Sequence, residues 1–428
     1  MAYVVGLVLF ALGILISVSL HEAGHMGTAK MFGMRVTRFF VGFGPTMFSF
    51  RKGETEYGVK WIPLGGFVKI AGMTPQEEEE DQTPPEEQHR VFWRKPVWQR
   101  TIVLAAGSTV HFILGFLILW IMVSFVAAPN PAFANEINTS TKITVSDCLI
   151  TDASRAECSD EDPEAPAKTG GLKSGDTLIK VAGKQVAGEE CRVPGTSEQL
   201  DPTSWSCAIN AIRALPPGKE ATFTIERDGK TLTKKVAPKT VEIKGTDGKT
   251  QEVTQVGISQ QNPTVPGTVT YGPVDGVGAA VTMTGDMAVK MGEAMTRIPE
   301  KIPALWNSIF GEERDKDTPV SVVGASRLGG EMVENDLWEM FFYLLITLNF
   351  FIGVFNMLPL LPMDGGHIAI AWFEKVRSWI AKKRNKPDPG RVDYMKLMPL
   401  TYTVLAIMIG FTVLTVTADI VNPITLFN

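Results

Sequence analysis

Charge is missing where this chain begins. No Asp, Glu, Lys or Arg occurs between Met1 and Leu20, and Lys30 is the first basic residue. About twenty apolar residues span a bilayer core, so the opening run reads as a membrane helix. A cleaved signal peptide would need a basic stretch ahead of the run, and none precedes it. Histidine is also scarce, with 5 in 428 residues, which counts against a metal transporter with ligands along several spans. Basic charge is not in excess: the net charge is −5 and the pI about 5.7, so nothing electrostatic points to nucleic acid. There is no CxxC. The 4 cysteines, Cys148, Cys158, Cys191 and Cys207, share one middle stretch that has no histidine. Disulfides are favoured there over a metal site, with sequence-local pairing Cys148–Cys158 and Cys191–Cys207. Bridged cysteines belong to an oxidising, non-cytoplasmic compartment.

A mean hydropathy of +0.09 hides strong segregation. Apolar residues collect in runs at about 4–29, 101–127, 338–362 and 398–420, each read as a membrane span. Basic residues crowd the stretch from Lys30 to Arg100 and the loop from Lys375 to Lys396. The positive-inside tendency puts both in the cytoplasm. Both termini and the 129–337 segment then lie outside, the side the cysteines require.

At the end of the first run stands Ser19-Leu20-His21-Glu22-Ala23-Gly24-His25. On a helix His21 and His25 share a face and can share a metal, with Glu22 offset to act on water. Ionisable groups inside an apolar span are expensive and mark function by default. A catalytic zinc site takes three protein ligands and keeps one open position. His89, His111 and His367 are the other histidines, but Asp364 is the stronger third ligand. It follows an apolar run with no Lys or Arg beside it. His21 is nine residues from Lys30 and Asp364 ten from Glu374, so both lie about 14–15 Å from the first flanking charge. A plain Asp-Gly turn ending the helix is the alternative for Asp364. The Asn, Pro and Gly content of 356–366 predicts a broken helix, tolerable where backbone lines a cavity.

HEAGH (21–25), the GFG of 42–44, WIPLGGFVKIAGM (61–73) and NMLPLLPMDGG (356–366) occur in this order. In these motifs the chain resembles the site-2 protease family of intramembrane zinc metalloproteases, RseP-like and most similar to the actinobacterial members of regulated intramembrane proteolysis. The resemblance implies one Zn²⁺ per chain, held by His21, His25 and Asp364, with Glu22 as general base for hydrolysis of a peptide bond. It implies single-pass membrane proteins as substrates, such as an anti-sigma factor already trimmed by another protease. Gly42, Gly44 and Asn356 would help hold the substrate. A catalytically silent membrane PDZ scaffold is the alternative, although silent relatives usually lose the motif glutamate. His111 departs from the pattern, standing where the family has Asn; it reads as an active-site hydrogen-bonding group, a structural residue or an extra ligand. Leu361 also stands where a proline is common.

The expected fold is a polytopic α-helical membrane protein of about four transmembrane helices, with a membrane-associated β-hairpin or re-entrant sheet and one extracytoplasmic α+β PDZ domain. Its parts are helix 1 with HExxH (1–32), re-entrant β-structure (33–73), an acidic linker and interfacial basic and aromatic segment (74–100) and helix 2 (101–128). The PDZ domain with a cysteine-bearing insertion follows (129–272), on the strength of Gly171-Leu172-Lys173-Ser174-Gly175-Asp176-Thr177-Leu178-Ile179, which resembles a PDZ core motif. An amphipathic segment (273–337), helix 3 with NxxPxxPMDGG (338–372), a basic cytoplasmic loop (373–397) and helix 4 (398–428) complete the chain. Residues 74–88 carry little apolar content and are expected to be disordered. The implied location is the bacterial plasma membrane, with the active site near its cytoplasmic face.

Overall fold

The uncharged opening run becomes helix α1 (Ala2–Met31) in the computed structural model, which describes residues 1–73, 84–152, 155, 157–159, 161–186, 204–244, 250–315 and 317–426. Gly6, Phe10, Ser17, His21, His25 and Ala29 form its buried face. Strands β1 (Val36–Lys52) and β2 (Thr55–Ile70) follow. Each bends so that the hairpin folds back on itself: Phe39 and Phe40 face Tyr57 and Gly58 on one side, Val68 and Phe67 on the other. Gly42 and Gly44, at φ +89° and +82°, make the bend in β1, a backbone region that favours glycine. Helix α2 (Val97–Ile121) continues through a π-helical turn, Met122–Val126.

The chain then leaves this unit (Met1–Ala127 with Thr270–Asn428) for a second one, Ala128–Val269. Strand β3 (Ala128–Pro129) will pair with the last strand of that unit; helix α3 (Pro131–Thr139), β4 (Ile143–Val145) and a single helical turn, α4 (Pro166–Thr169), come next. Strands β5 (Thr177–Val181) and β6 (Lys184–Gln185), helix α5 (Ser204–Arg213), β7 (Ala221–Arg227) and β8 (Lys230–Val236) follow, and the sheet order is β6-β5-β7-β8. Strands β9 (Lys239–Lys244) and β10 (Thr250–Gln255) pair with each other, β11 (Ile258–Gln260) with β4, and β12 (Thr268–Val269) with β3. Leu172, Leu178, Val181, Phe223, Ile225 and Val236 of the sheet side meet Ala208 and Ile212 of α5 in one core. Cys148 and Cys158 are disulfide-bonded, as expected from the sequence. Cys207 is also disulfide-bonded; its expected partner Cys191 lies outside the described residues, as do most of the cysteine-bearing insertion and most of the acidic 74–88 stretch.

Back in the first unit, α6 (Asp275–Ile309) turns Met287 and Met291 inward. Helix α7 (Val322–Glu334) crosses α1 closely. A Cβ added at Gly6 would stand 2.7 Å from Val333 Cβ and 2.8 Å from the Gly329 carbonyl oxygen, the close backbone approach that small residues allow between membrane helices. Helix α8 (Trp338–Asn356) stops before the apolar run does. Pro359 and Pro362 cannot donate to a helical ladder, and the chain restarts as α9 (Asp364–Lys383) before α10 (Tyr394–Val421). Among the described residues four helical stretches are long and apolar enough to cross a membrane: Ala2–Met31, Val97–Val126, Trp338–Asn356 and Tyr394–Val421. These fall on the four apolar runs, the third covering only the first part of its run.

In the second unit Asp176 is the ionic anchor. Its buried carboxylate accepts two hydrogen bonds from Arg227, at 2.6 and 2.7 Å, and one from the Lys173 N–H at 2.9 Å. Burial alone would push the carboxyl up, but the Arg227 guanidinium outweighs it and holds Asp176 below the usual range. A depressed folded-state value means that this stability is complete at neutral pH. It is lost as pH falls below the ordinary aspartate pKa of about 3.9. Asp176→Ala leaves the Arg227 guanidinium only the Gly171 carbonyl and is expected to cost about 2 kcal/mol. Hydrogen exchange of the β5 and β7 amides in the intact protein reads this directly; unchanged protection in the variant, at pH 7, would show that the pair does not hold the unit.

Candidate metal centre

One turn of α1 carries both histidines to its buried face, where His21 and His25 are 6% and 4% exposed. Their Nε2 atoms are 3.0 Å apart. Asp364, the first residue of α9, brings Oδ2 to 3.4 Å from each. The break after Asn356 matters here, because it delivers the carboxylate at a helix start, where the macrodipole favours negative charge.

His25 Nδ1 lies 2.7 Å from the Val103 carbonyl oxygen on α2. A carbonyl only accepts, so Nδ1 carries the proton and the neutral ring turns an Nε2 lone pair towards His21 and Asp364. Asp364 Oδ2 is buried without a hydrogen-bond partner and faces the Nε2 atoms of both histidines. Acceptors gathered without a donor are unfavourable in a buried setting, and a cation satisfies them together. The spacing fits as well. Ligand bonds of about 2.0–2.1 Å in tetrahedral array put donor atoms roughly 3.3 Å apart, close to the observed 3.0 and 3.4 Å. Two nitrogens and one carboxylate oxygen suit zinc and leave a fourth position open. Gly107 of α2 completes the cradle: a Cβ there would collide with both imidazoles.

Glu22 is not one of the converging groups of this triangle. Its Oε2 accepts the Val68 N–H at 3.0 Å, so the outer edge of β2 stands beside the histidines. His111, also on α2, is fully buried with its ring centroid 5.1 Å from that of His21, outside the set of converging ligand atoms. Asn356 closes α8, and Gly42 and Gly44 sit at the bend of β1; none of the three joins that set. His89 is bound to the Glu86 carbonyl and His367 stacks on Tyr394.

Three contributors escaped the sequence reading: the Val103 carbonyl, Gly107 and Asn349, whose Oδ1 meets His111 Nδ1 at 2.9 Å. Asn349 left a readable signal, an amide in the middle of an apolar run, the same oddity that singled out Asp364.

Residues 9–399 match the sequence profile of Peptidase family M50. The chain belongs to Peptidase family M50. It is 38% identical over 433 residues to the zinc metalloprotease Rip1 of Mycobacterium tuberculosis, covering 100% of both chains. It is 39% identical over 434 residues to the Rip1 of Mycolicibacterium smegmatis, again over 100% of both. The M50 membership accords with the site-2 protease resemblance of the motifs and with the four apolar helices.

Gly107 gives a direct check of the cradle. Gly107→Ala is expected to lower zinc affinity at least about tenfold, as loss of a supporting contact at a metal site commonly does. Gly27→Ala, on α1 with nothing within 4 Å of the added carbon, should leave it unchanged. Equal zinc affinity for the two variants, by competition with a chelator, would refute the cradle.

Proposed function

We propose that this intramembrane zinc metalloprotease cuts single-pass membrane proteins, with His21, His25 and Asp364 as zinc ligands and Glu22 as general base. The observation that carries the assignment is the convergence of His21, His25 and Asp364 at 3.0–3.4 Å within apolar helices. Bound zinc supplies Lewis acidity, which makes water a nucleophile near neutral pH and polarises a carbonyl. Glu22 Oε2 is held by the Val68 N–H, leaving Oε1 to take the proton of the attacking water and pass it to the leaving amine.

A transmembrane helix hides its carbonyls in hydrogen bonds and must be unwound before it is cut. The outer edge of β2, whose Val68 N–H already reaches Glu22, is suited to hold such a segment extended by strand addition. Among the described residues no further strand pairs with it. Phe43, Met47, Phe48, Phe50, Trp61 and Ile62 leave this hairpin exposed and apolar, which supports a re-entrant position in the bilayer. Asn356, Gly42 and Gly44 belong to the same substrate path. An anti-sigma factor shortened by an earlier protease is the substrate class that the family resemblance suggests.

The second unit is a PDZ domain on the extracytoplasmic side, where it restricts access of bulky substrate ectodomains. Its disulfide and the basic loops at the other end of the spans support that orientation. Both termini then lie outside, and the metal site lies near the cytoplasmic face of the plasma membrane.

Two experiments test this reading. Glu22→Gln should cut a reporter transmembrane helix about 10²- to 10⁴-fold more slowly while keeping one zinc per chain; cleavage at the wild-type rate would end the assignment. For topology, Lys184→Cys and Lys386→Cys are exposed positions in β6 and after α9. A membrane-impermeant maleimide added to intact cells should label the first and spare the second, and the opposite pattern would invert the orientation.

A further inference from the structure

Beyond the three ligands and Glu22, two buried polar side chains meet between α2 and α8. His111 on α2 is 0% exposed and Asn349 on α8 is 1% exposed. His111 Nδ1 lies 2.9 Å from Asn349 Oδ1. The Asn349 amide nitrogen donates to the Leu345 carbonyl oxygen at 2.9 Å. That second bond fixes which end of the amide meets the imidazole: the oxygen, which only accepts. Nδ1 therefore carries the proton, and the neutral ring keeps a lone pair on Nε2. This Nε2 is buried and has no hydrogen-bond partner, an arrangement that native structures rarely leave without a purpose. The ring stands 5.1 Å from that of His21, yet its nitrogens fall outside the converging ligand atoms. A fourth protein ligand would also close the position that a catalytic site keeps open.

We propose that His111, oriented by Asn349, binds substrate through Nε2, which accepts a hydrogen bond from the N–H of the scissile peptide bond. This rests on the protease reading above. The reaction needs such an acceptor. To receive a proton from Glu22 Oε1, the scissile nitrogen must turn its developing lone pair towards Glu22 and its N–H elsewhere. A fixed acceptor for that N–H sets the orientation, and its attraction grows as the nitrogen becomes a positively charged amine, so the interaction favours the transition state over the bound substrate. Asn349 acts on the imidazole, not on the substrate, and is a positioning residue.

The test uses the full-length protein in lipid nanodiscs and two synthetic transmembrane substrates, one with an ordinary scissile amide and one with an ester there, which has no N–H. His111→Leu should lower kcat on the amide about 10- to 100-fold, the value of one hydrogen bond to a buried acceptor, and leave the ester rate near wild type. His111→Asn, which keeps an acceptor, should retain more amide activity than His111→Leu. Asn349→Leu should show the same selectivity for the amide, and the double variant should be no slower than His111→Leu alone. Zinc content should not change. Equal losses on amide and ester would make His111 a structural residue, and loss of zinc would make it a ligand; either result overturns the proposal. Nitrogen-15 NMR of the wild-type protein provides a check that needs no variant: His111 should be protonated at Nδ1 and bare at Nε2, and the opposite tautomer overturns it. Glu22→Gln separates the two readings. If it cleaves normally, the protease assignment fails; if it is inactive while the His111 variants cleave normally, only the present proposal fails.

Discussion

Two imidazole nitrogens and a carboxylate oxygen meet inside an apolar helical unit, and the surrounding fold depends on making that meeting tolerable. Acceptors of one kind, withdrawn from water, repel one another unless a cation sits among them. Helix α1 provides two of them at one turn's spacing, so the third must come from a different element at the same depth. Prolines at 359 and 362 end α8 early, and α9 starts with the carboxylate in place. Close approach of α2 follows from the same need, because the imidazoles fill the space that a side chain at position 107 would take.

Much of the site could be read from the sequence because the membrane makes polar groups conspicuous. His21, Glu22 and His25 stand out against twenty uncharged residues, and Asp364 could be matched to them by distance from the nearest flanking charge. The four spans were equally plain, since a helix that crosses a bilayer must be long and apolar. What escaped depends on how distant helices are placed against each other. His25 and Val103 are 78 residues apart, and His111 and Asn349 are 238 apart. No local pattern sets the rotation of α2 against α1 or of α8 against α2. The hairpin of β1 and β2 was legible as strands and turns, but its doubling back was not, because bends at Gly42 and Gly44 set which segments become neighbours.

Two buried acids, one in each unit, are handled in opposite ways. In the second one, Asp176 is partnered completely within the protein, with Arg227 on one side and the Lys173 N–H on the other. In the first, Asp364 Oδ2 is left without a hydrogen bond. An acid with its own guanidinium stabilises a fold; an acid without one is available to a metal. The residue type is the same, and the supply of donors decides its role.

The Val103 contact has a consequence for how this site can vary. The oxygen that accepts the His25 hydrogen bond belongs to the main chain, so every residue type at position 103 offers it. The buried Val103 side chain limits what can stand there, but an apolar exchange that fills the same space keeps the oxygen in place. Four residues further along the same helix, where the requirement is for empty space and not for an atom, nearly every exchange would be rejected. Tolerance and intolerance to substitution, one helical turn apart, then report the same piece of architecture. A map of permitted residues along α2 would therefore understate how much of the metal site this helix builds.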